Sequence, residues 1–139
     1  MRAVLLREPG GPEALRLEEV EQPELGDGEV LVHVQAASVN PSDWKYRRGL
    51  LPKSLPAVLG SDVSGTVEAS RSDAFAEGEE VLGIARSGSY AELAVAAERM
   101  LVGKPAGLTH AQAAAIPVAG LPRGRRCTTA GACRPDRRR

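Results

Sequence analysis

Gly28-Glu29-Val30-Leu31-Val32-His33-Val34-Gln35-Ala36-Ala37-Ser38-Val39-Asn40-Pro41-Ser42-Asp43 is the stretch on which the fold turns. Val30, Val32, Val34 and Ala36 alternate with Leu31, His33, Gln35 and Ala37. A period of two, rich in β-branched residues, is the pattern of a half-buried strand, here predicted from Glu29 to Val39. The pattern stops at Asn40-Pro41. Proline suits a first helical position because its φ is already helical and its missing N–H is not needed there. A short helix is therefore predicted from Pro41 to Arg48, with Gly49 as its stop.

Outward from this strand the same theme recurs at shorter length, over Ala3 to Leu6, Leu15 to Val20, Val63 to Ala69, Val81 to Ile84, Tyr90 to Val95 and Met100 to Val102. Between these runs lie Gly10-Gly11-Pro12, Pro23 to Gly28, Pro52 to Pro56, Arg71 to Gly78 and Arg86 to Gly88, each rich in turn formers. Many short strands with frequent turns predict a mainly β domain, a barrel or a sandwich. Thr109-His110-Ala111-Gln112 has capping-box spacing before Ala113 to Ala115, a helix start that Pro117 limits.

The chain has 139 residues, which allows one ordinary domain. Its apolar runs fall far short of the roughly 18 residues a membrane span needs. The charged start Met1-Arg2-Ala3-Val4-Leu5-Leu6-Arg7-Glu8 lacks a small-residue cleavage site, so a secretory signal is not expected and a cytoplasmic placement is. The 18 basic and 18 acidic side chains cancel only in sum. Residues 1–120 hold 11 basic and 17 acidic groups, whereas residues 121–139 hold seven Arg and one Asp. Residues 122–139 contain no Val, Ile, Leu, Met or aromatic side chain, and disorder is expected there. Cys127 and Cys133 both lie in this tail, with no His nearby and no usual zinc spacing. A nucleic-acid arm would gain from Lys and aromatics, which the tail lacks. Its abrupt switch to Arg, Pro, Gly, Ala and Cys favours a shifted reading frame.

The polar constellation Asn40-Pro41-Ser42-Asp43-Trp44-Lys45-Tyr46 follows the best strand directly. A strand-to-helix corner holds side chains firmly yet exposed, where ligand-facing groups tend to sit. Asn40 offers an amide, Asp43 a carboxylate and Tyr46 a phenol. The same residues also suit a plain structural reading: Asn40 as cap, Asp43 at the positive helix end, Trp44 and Tyr46 in the core. Leu59-Gly60-Ser61-Asp62-Val63-Ser64-Gly65 is a second candidate, with Ser61 and Asp62 turned away from an apolar flank. No base is brought to Ser61 by spacing; His33 is read as a solvent-facing strand residue and His110 as a surface helix residue, so a hydrolytic triad is not supported. Neither a P-loop nor a G-x-G-x-x-G occurs.

Met1-Arg2-Ala3-Val4 with Gly10-Gly11-Pro12-Glu13, Gly28 to Val32, Ala36 to Asp43, Leu55 to Gly65, Gly78-Glu79-Glu80-Val81, Gly88 to Glu92 and Ala113 to Pro117 together resemble the start of medium-chain dehydrogenases/reductases. The branch resembled is that of the zinc-independent, zeta-crystallin-like quinone oxidoreductases, and the likeness covers nearly all of residues 1–121. It implies a GroES-like domain, a partly open β-barrel with short helices, normally followed by a Rossmann domain that binds NADP(H). Zinc-dependent relatives carry a Cys where this chain has Asn40 and a His-Glu pair where it has Ser61-Asp62. An amide and a hydroxyl are poor zinc ligands, so no catalytic zinc and no metal site are expected. In that branch hydride passes directly between nicotinamide and a quinone or enone. By resemblance Asn40, Asp43 and Tyr46 line the cleft as catalytic residues, with Asn40 and Tyr46 also meeting the cofactor.

The likeness stops at Leu121. The 18 residues that remain are fewer than the roughly 30 of one βαβ unit, so a domain of residues 1–121 without a Rossmann domain is expected, inactive alone and binding NADPH no better than millimolar. The apolar run Ala113 to Leu121 favours this over a stand-alone binding or structural module; an enoyl-reductase-like member of the superfamily is the other alternative. No nucleic-acid or membrane partner is expected. Uncovered apolar surface would make the chain poorly soluble and prone to associate with its own copies.

Overall fold

The computed structural model describes residues 1–120. The expectations for the tail, its disorder and its cysteines included, lie outside the described residues.

Two antiparallel sheets build the domain. In the smaller, β1 (Arg2–Leu6) lies between β2 (Leu15–Glu19) and β4 (Ala57–Val58). In the larger, β3 (Glu29–Ala37) is flanked by β7 (Leu93–Ala97) and β5 (Asp62–Ser70), and beyond β5 come β6 (Glu80–Ile84) and β8 (Leu101–Gly103). The order β7-β3-β5-β6-β8 leaves both edges open. Register shifts in the β3–β5 pairing, between Leu31 and Val32 and between Val34 and Ala36, bend this sheet. A Cβ on Gly65 would lie 2.0 Å from the His33 carbonyl oxygen, so only glycine allows β3 and β5 to approach as they do. The sheets are joined by the Ala3–Ala91 bridge and by the Val4 N–H donating to the Tyr90 carbonyl at 2.7 Å. The result is the partly open barrel expected.

Val30, Val32, Val63, Val67, Val81, Ala94, Ala96 and Leu101 fill its interior, with Val34 and Phe75 packed against them. Small β-branched side chains suffice because the curled sheet brings its own strands face to face. Leu31 is buried as well, so alternation between buried and open positions begins only at His33, which is exposed as expected.

Helix α1 (Pro41–Arg47) starts where proline dictated, capped by Asn40, and α2 (His110–Ala114) starts at its capping box: Thr109 accepts from the Gln112 N–H while the Gln112 side chain accepts from the Thr109 N–H. Helical backbone resumes at 117–120, after the interruption that Pro117 enforces.

Three local expectations are corrected. β3 ends at Ala37, because Ser38 leaves the ladder to bond Asp62. β7 begins at Leu93 and not Tyr90, because the Tyr90 N–H is spent on the Leu59 carbonyl and its own carbonyl on Val4, which ties the two sheets together. Trp44 is 41% exposed and not a core residue. No helix among the described residues is long and apolar enough to cross a membrane.

Candidate functional site

The corner between β3 and α1 is built on two buried carboxylates, one on either side of Asn40. Asp43, in the first turn of α1, is 4% exposed and accepts the Asn40 backbone N–H at 2.8 Å. This is the return half of a capping box, and it follows from the local Asn-x-x-Asp spacing. The Tyr90 hydroxyl reaches the same Asp43 oxygen at 3.1 Å, from the loop that joins the sheets. Burial first, then the Asp43 and Asp62 carboxylates, holds the Tyr90 phenol well above its ordinary pKa. Tyr90 is thus a neutral donor.

Asp62, the first residue of β5, is 1% exposed. Its Oδ2 accepts from the Ser38 hydroxyl and from Asn40 Nδ2, the latter at 2.8 Å, while its Oδ1 accepts the Val118 N–H at 2.7 Å. A buried carboxylate is tolerated only when such donors replace its lost water. The same amide nitrogen lies 3.2 Å from Ser38 Oγ, which is itself bonded to Asp62 Oδ2, so Ser38 and Asp62 share one side of the Asn40 amide. Of Ser61 and Asp62, expected to turn away from an apolar flank, Asp62 is buried at the junction that joins β5 to the corner.

Tyr46 is half-buried on α1, its hydroxyl without a hydrogen-bond partner among the described residues, and the Lys53 ammonium stands 5.4 Å from its ring centroid. The structure thus links Asn40 and Asp43 directly and leaves Tyr46 outside their hydrogen-bond network. Ser38, Asp62, Tyr90 and the Val118 N–H complete that network, and no pattern along the chain announced Tyr90 or Val118.

His110 is not a surface residue. Its side chain is 16% exposed, with Nδ1 2.8 Å from the buried Ser64 hydroxyl and Nε2 3.1 Å from Glu80 Oε1. Ser64 is fully buried and donates to the Val81 carbonyl at 3.0 Å, so this serine, histidine and glutamate pin α2 to the sheet and leave no hydroxyl open to attack.

Among the described residues no three His, Cys, Asp or Glu side chains converge as a metal site. Where a ligand set would be needed, an amide N–H points at a carboxylate, a donor set that does not fit zinc.

Residues 26–106 match the alcohol dehydrogenase GroES-like domain. The chain belongs to this family. Within it, this GroES-like domain sits in the quinone oxidoreductase branch of the medium-chain dehydrogenases/reductases. It is 39% identical over 121 residues to the chloroplastic quinone-oxidoreductase homolog of Spinacia oleracea, covering 81% of this chain and 37% of that one. A mycobacterial structure complexed with NADPH superposes with a TM-score of 0.85 at 34% identity, over 94% of this chain and 42% of the other. The quinone oxidoreductase from Coxiella burnetii gives 0.84 at 34% identity, over 94% and 45%. The chain thus spans less than half the length of these relatives.

Proposed function

We propose that the β3–α1 corner is the reaction end of an NADP(H)-dependent, zinc-independent reductase of quinones or enones. The observation that carries this is the Asn40 amide, hydrogen-bonded to Asp62 and Ser38 at the position where the family resemblance sets the cysteine of zinc-dependent relatives. The relatives named quinone oxidoreductases and the NADPH of the mycobacterial structure support the substrate class and the cofactor.

Bound NADPH would supply the hydride. Tyr46 and the exposed Val39 offer it an aromatic and an aliphatic surface, and Asn40 a polar edge, which suits a planar ring carrying an amide. Asn40, Asp43 and Tyr46 then divide the work. Asn40 shapes the cleft through an amide anchored on Asp62 and Ser38. Asp43 does not touch the ligand; it positions Asn40 through the backbone and Tyr90 through its hydroxyl. Tyr46, with a free phenol, is the group able to donate to a substrate carbonyl. Compartments differ within the family, the spinach relative being chloroplastic by name; a cytoplasmic placement for this chain is part of the proposal.

The test is a chimera in which residues 1–120 replace the matching segment of the Coxiella enzyme. NADPH-dependent quinone reduction should survive, be indifferent to EDTA, and fall about tenfold or more with Tyr46→Phe. A folded chimera that reduces no quinone, or one that EDTA silences, overturns the reading.

A further inference from the structure

A second site lies at the far end of α1 from Asn40. Pro9, Gly10, Gly11 and Pro12 of the β1–β2 connection face Arg47 and Arg48 across an open cleft of about 480 Å³. The two walls are tied together, since the Gly10 N–H donates to the Arg47 carbonyl at 2.8 Å. Glu13 is turned back onto the loop, its carboxylate accepting the Gly11 N–H at 3.0 Å.

The charge of the α1 wall runs against that of the domain, while Glu8 and Glu13 flank the other wall. Residues 1–120 hold 17 acidic and 11 basic groups, yet residues 44–61 hold Lys45, Arg47, Arg48 and Lys53 and no acid at all. None of these four cations forms an ion pair among the described residues, and neither do Arg16, Arg71 and Arg99, whereas Arg2, Arg7, Arg86 and Lys104 each have a glutamate. Arg47 is the telling case. Its Nη1 is buried and has no hydrogen-bond partner among the described residues, so the guanidinium is held partly out of water without a counter-charge from them. Such a group is costly to keep unless something arrives to neutralise it. A guanidinium edge matches the planar or tetrahedral oxygens of an oxyanion.

We propose that the cleft between Arg47, Arg48 and the Pro9–Pro12 loop binds an oxyanion, the carboxylate or phosphate group of a small ligand. Arg47 and Arg48, the two cations that line it, concentrate anions at its mouth, and in a domain otherwise acidic they give the ligand one favoured face of approach.

The experiment is a titration of the ¹⁵N-labelled chain with inorganic phosphate and, separately, with acetate, at constant ionic strength, followed through backbone amides. Phosphate should shift Gly10 and Gly11 saturably, and Arg48→Gln should weaken that binding roughly tenfold. Arg47→Gln should abolish it; should that variant not fold, Arg48→Gln alone decides. Saturation by acetate as well marks a site for carboxylates and phosphates alike, and by phosphate alone a phosphate site. Shifts that never saturate, shifts spread evenly over Lys45, Lys53, Arg71 and Arg99, or an unchanged affinity in folded Arg48→Gln would overturn the proposal.

Discussion

Asp62 accepts three hydrogen bonds at 1% exposure, from Ser38 just past β3, from Asn40 and from Val118 beyond α2. Asp62→Asn keeps the volume but turns one acceptor into a donor facing donors. We expect a loss of about 2–4 kcal/mol, read as a lowered urea midpoint at neutral pH, because the orphaned buried groups lose their partner. An unchanged midpoint would show that the network contributes nothing. Tyr90 makes a second test. Since its phenol is held above the ordinary range, its proton binds more tightly folded than unfolded; the stability this gives is present below the ordinary phenol pKa and is lost as pH rises beyond it. In an ultraviolet titration of the native chain one of the two tyrosines should ionise only well above pH 10, and Tyr90→Phe should remove that late step. At this scale Asn40 and Asp43 were legible because a cap and its acid lie three residues apart. Asp62 lies 22 residues from Asn40 and Tyr90 47 from Asp43, separations that only the sheet brings together.

The turn after β4 shows how elements are held in place. Gly60 has φ +88°, and a Cβ there would lie 2.4 Å from Ser89 Oγ and 2.6 Å from the Tyr90 ring. Gly78 has φ +86° with nothing within 4 Å. Alanine at Gly78 therefore meets only the backbone cost of about 1 kcal/mol, whereas Gly60→Ala adds a clash and should cost roughly 3 kcal/mol or more in thermal or urea unfolding. Equal losses at the two positions would mean that the loop carrying Tyr90 yields freely. Elements with a strong local period, β3 and α1 above all, were readable from the sequence to within a residue or two. Two-residue β4 has no period to read, and β7 was misplaced because the apolar look of Tyr90-Ala91 serves the junction between sheets and not a ladder. His110 was misread for the same reason: nothing in a capping box tells which side chain meets a buried serine on another strand.

Ion pairs on the outside of the barrel make the whole molecule sensitive to acid. The Arg86 guanidinium, with help from the Gly26 N–H, holds the Glu29 carboxyl below its usual range, and Lys104, then His110, does the same for Glu80. Carboxylates with lowered values stabilise the fold above the ordinary glutamate range and lose that contribution as pH falls through it. Unfolding midpoints should therefore drop as pH falls from about 5 to 3, and Glu29→Gln, less stable at pH 7, should drop less. An equal drop in both would remove Glu29 from the cause. Exposed Val39, Leu50, Trp44 and Ile116 leave apolar surface uncovered at the same scale, in a domain that spans less than half the length of its relatives.

The most direct measurement of the proposed function is an amide map of the chain titrated with NADPH and then with a simple quinone. The strongest shifts should fall on Ser38, Asn40, Tyr46, Asp62 and Val118, with dissociation in the millimolar range. Shifts confined to other faces, or none at the β3–α1 corner up to saturating ligand, would contradict the assignment of that corner as the reaction end.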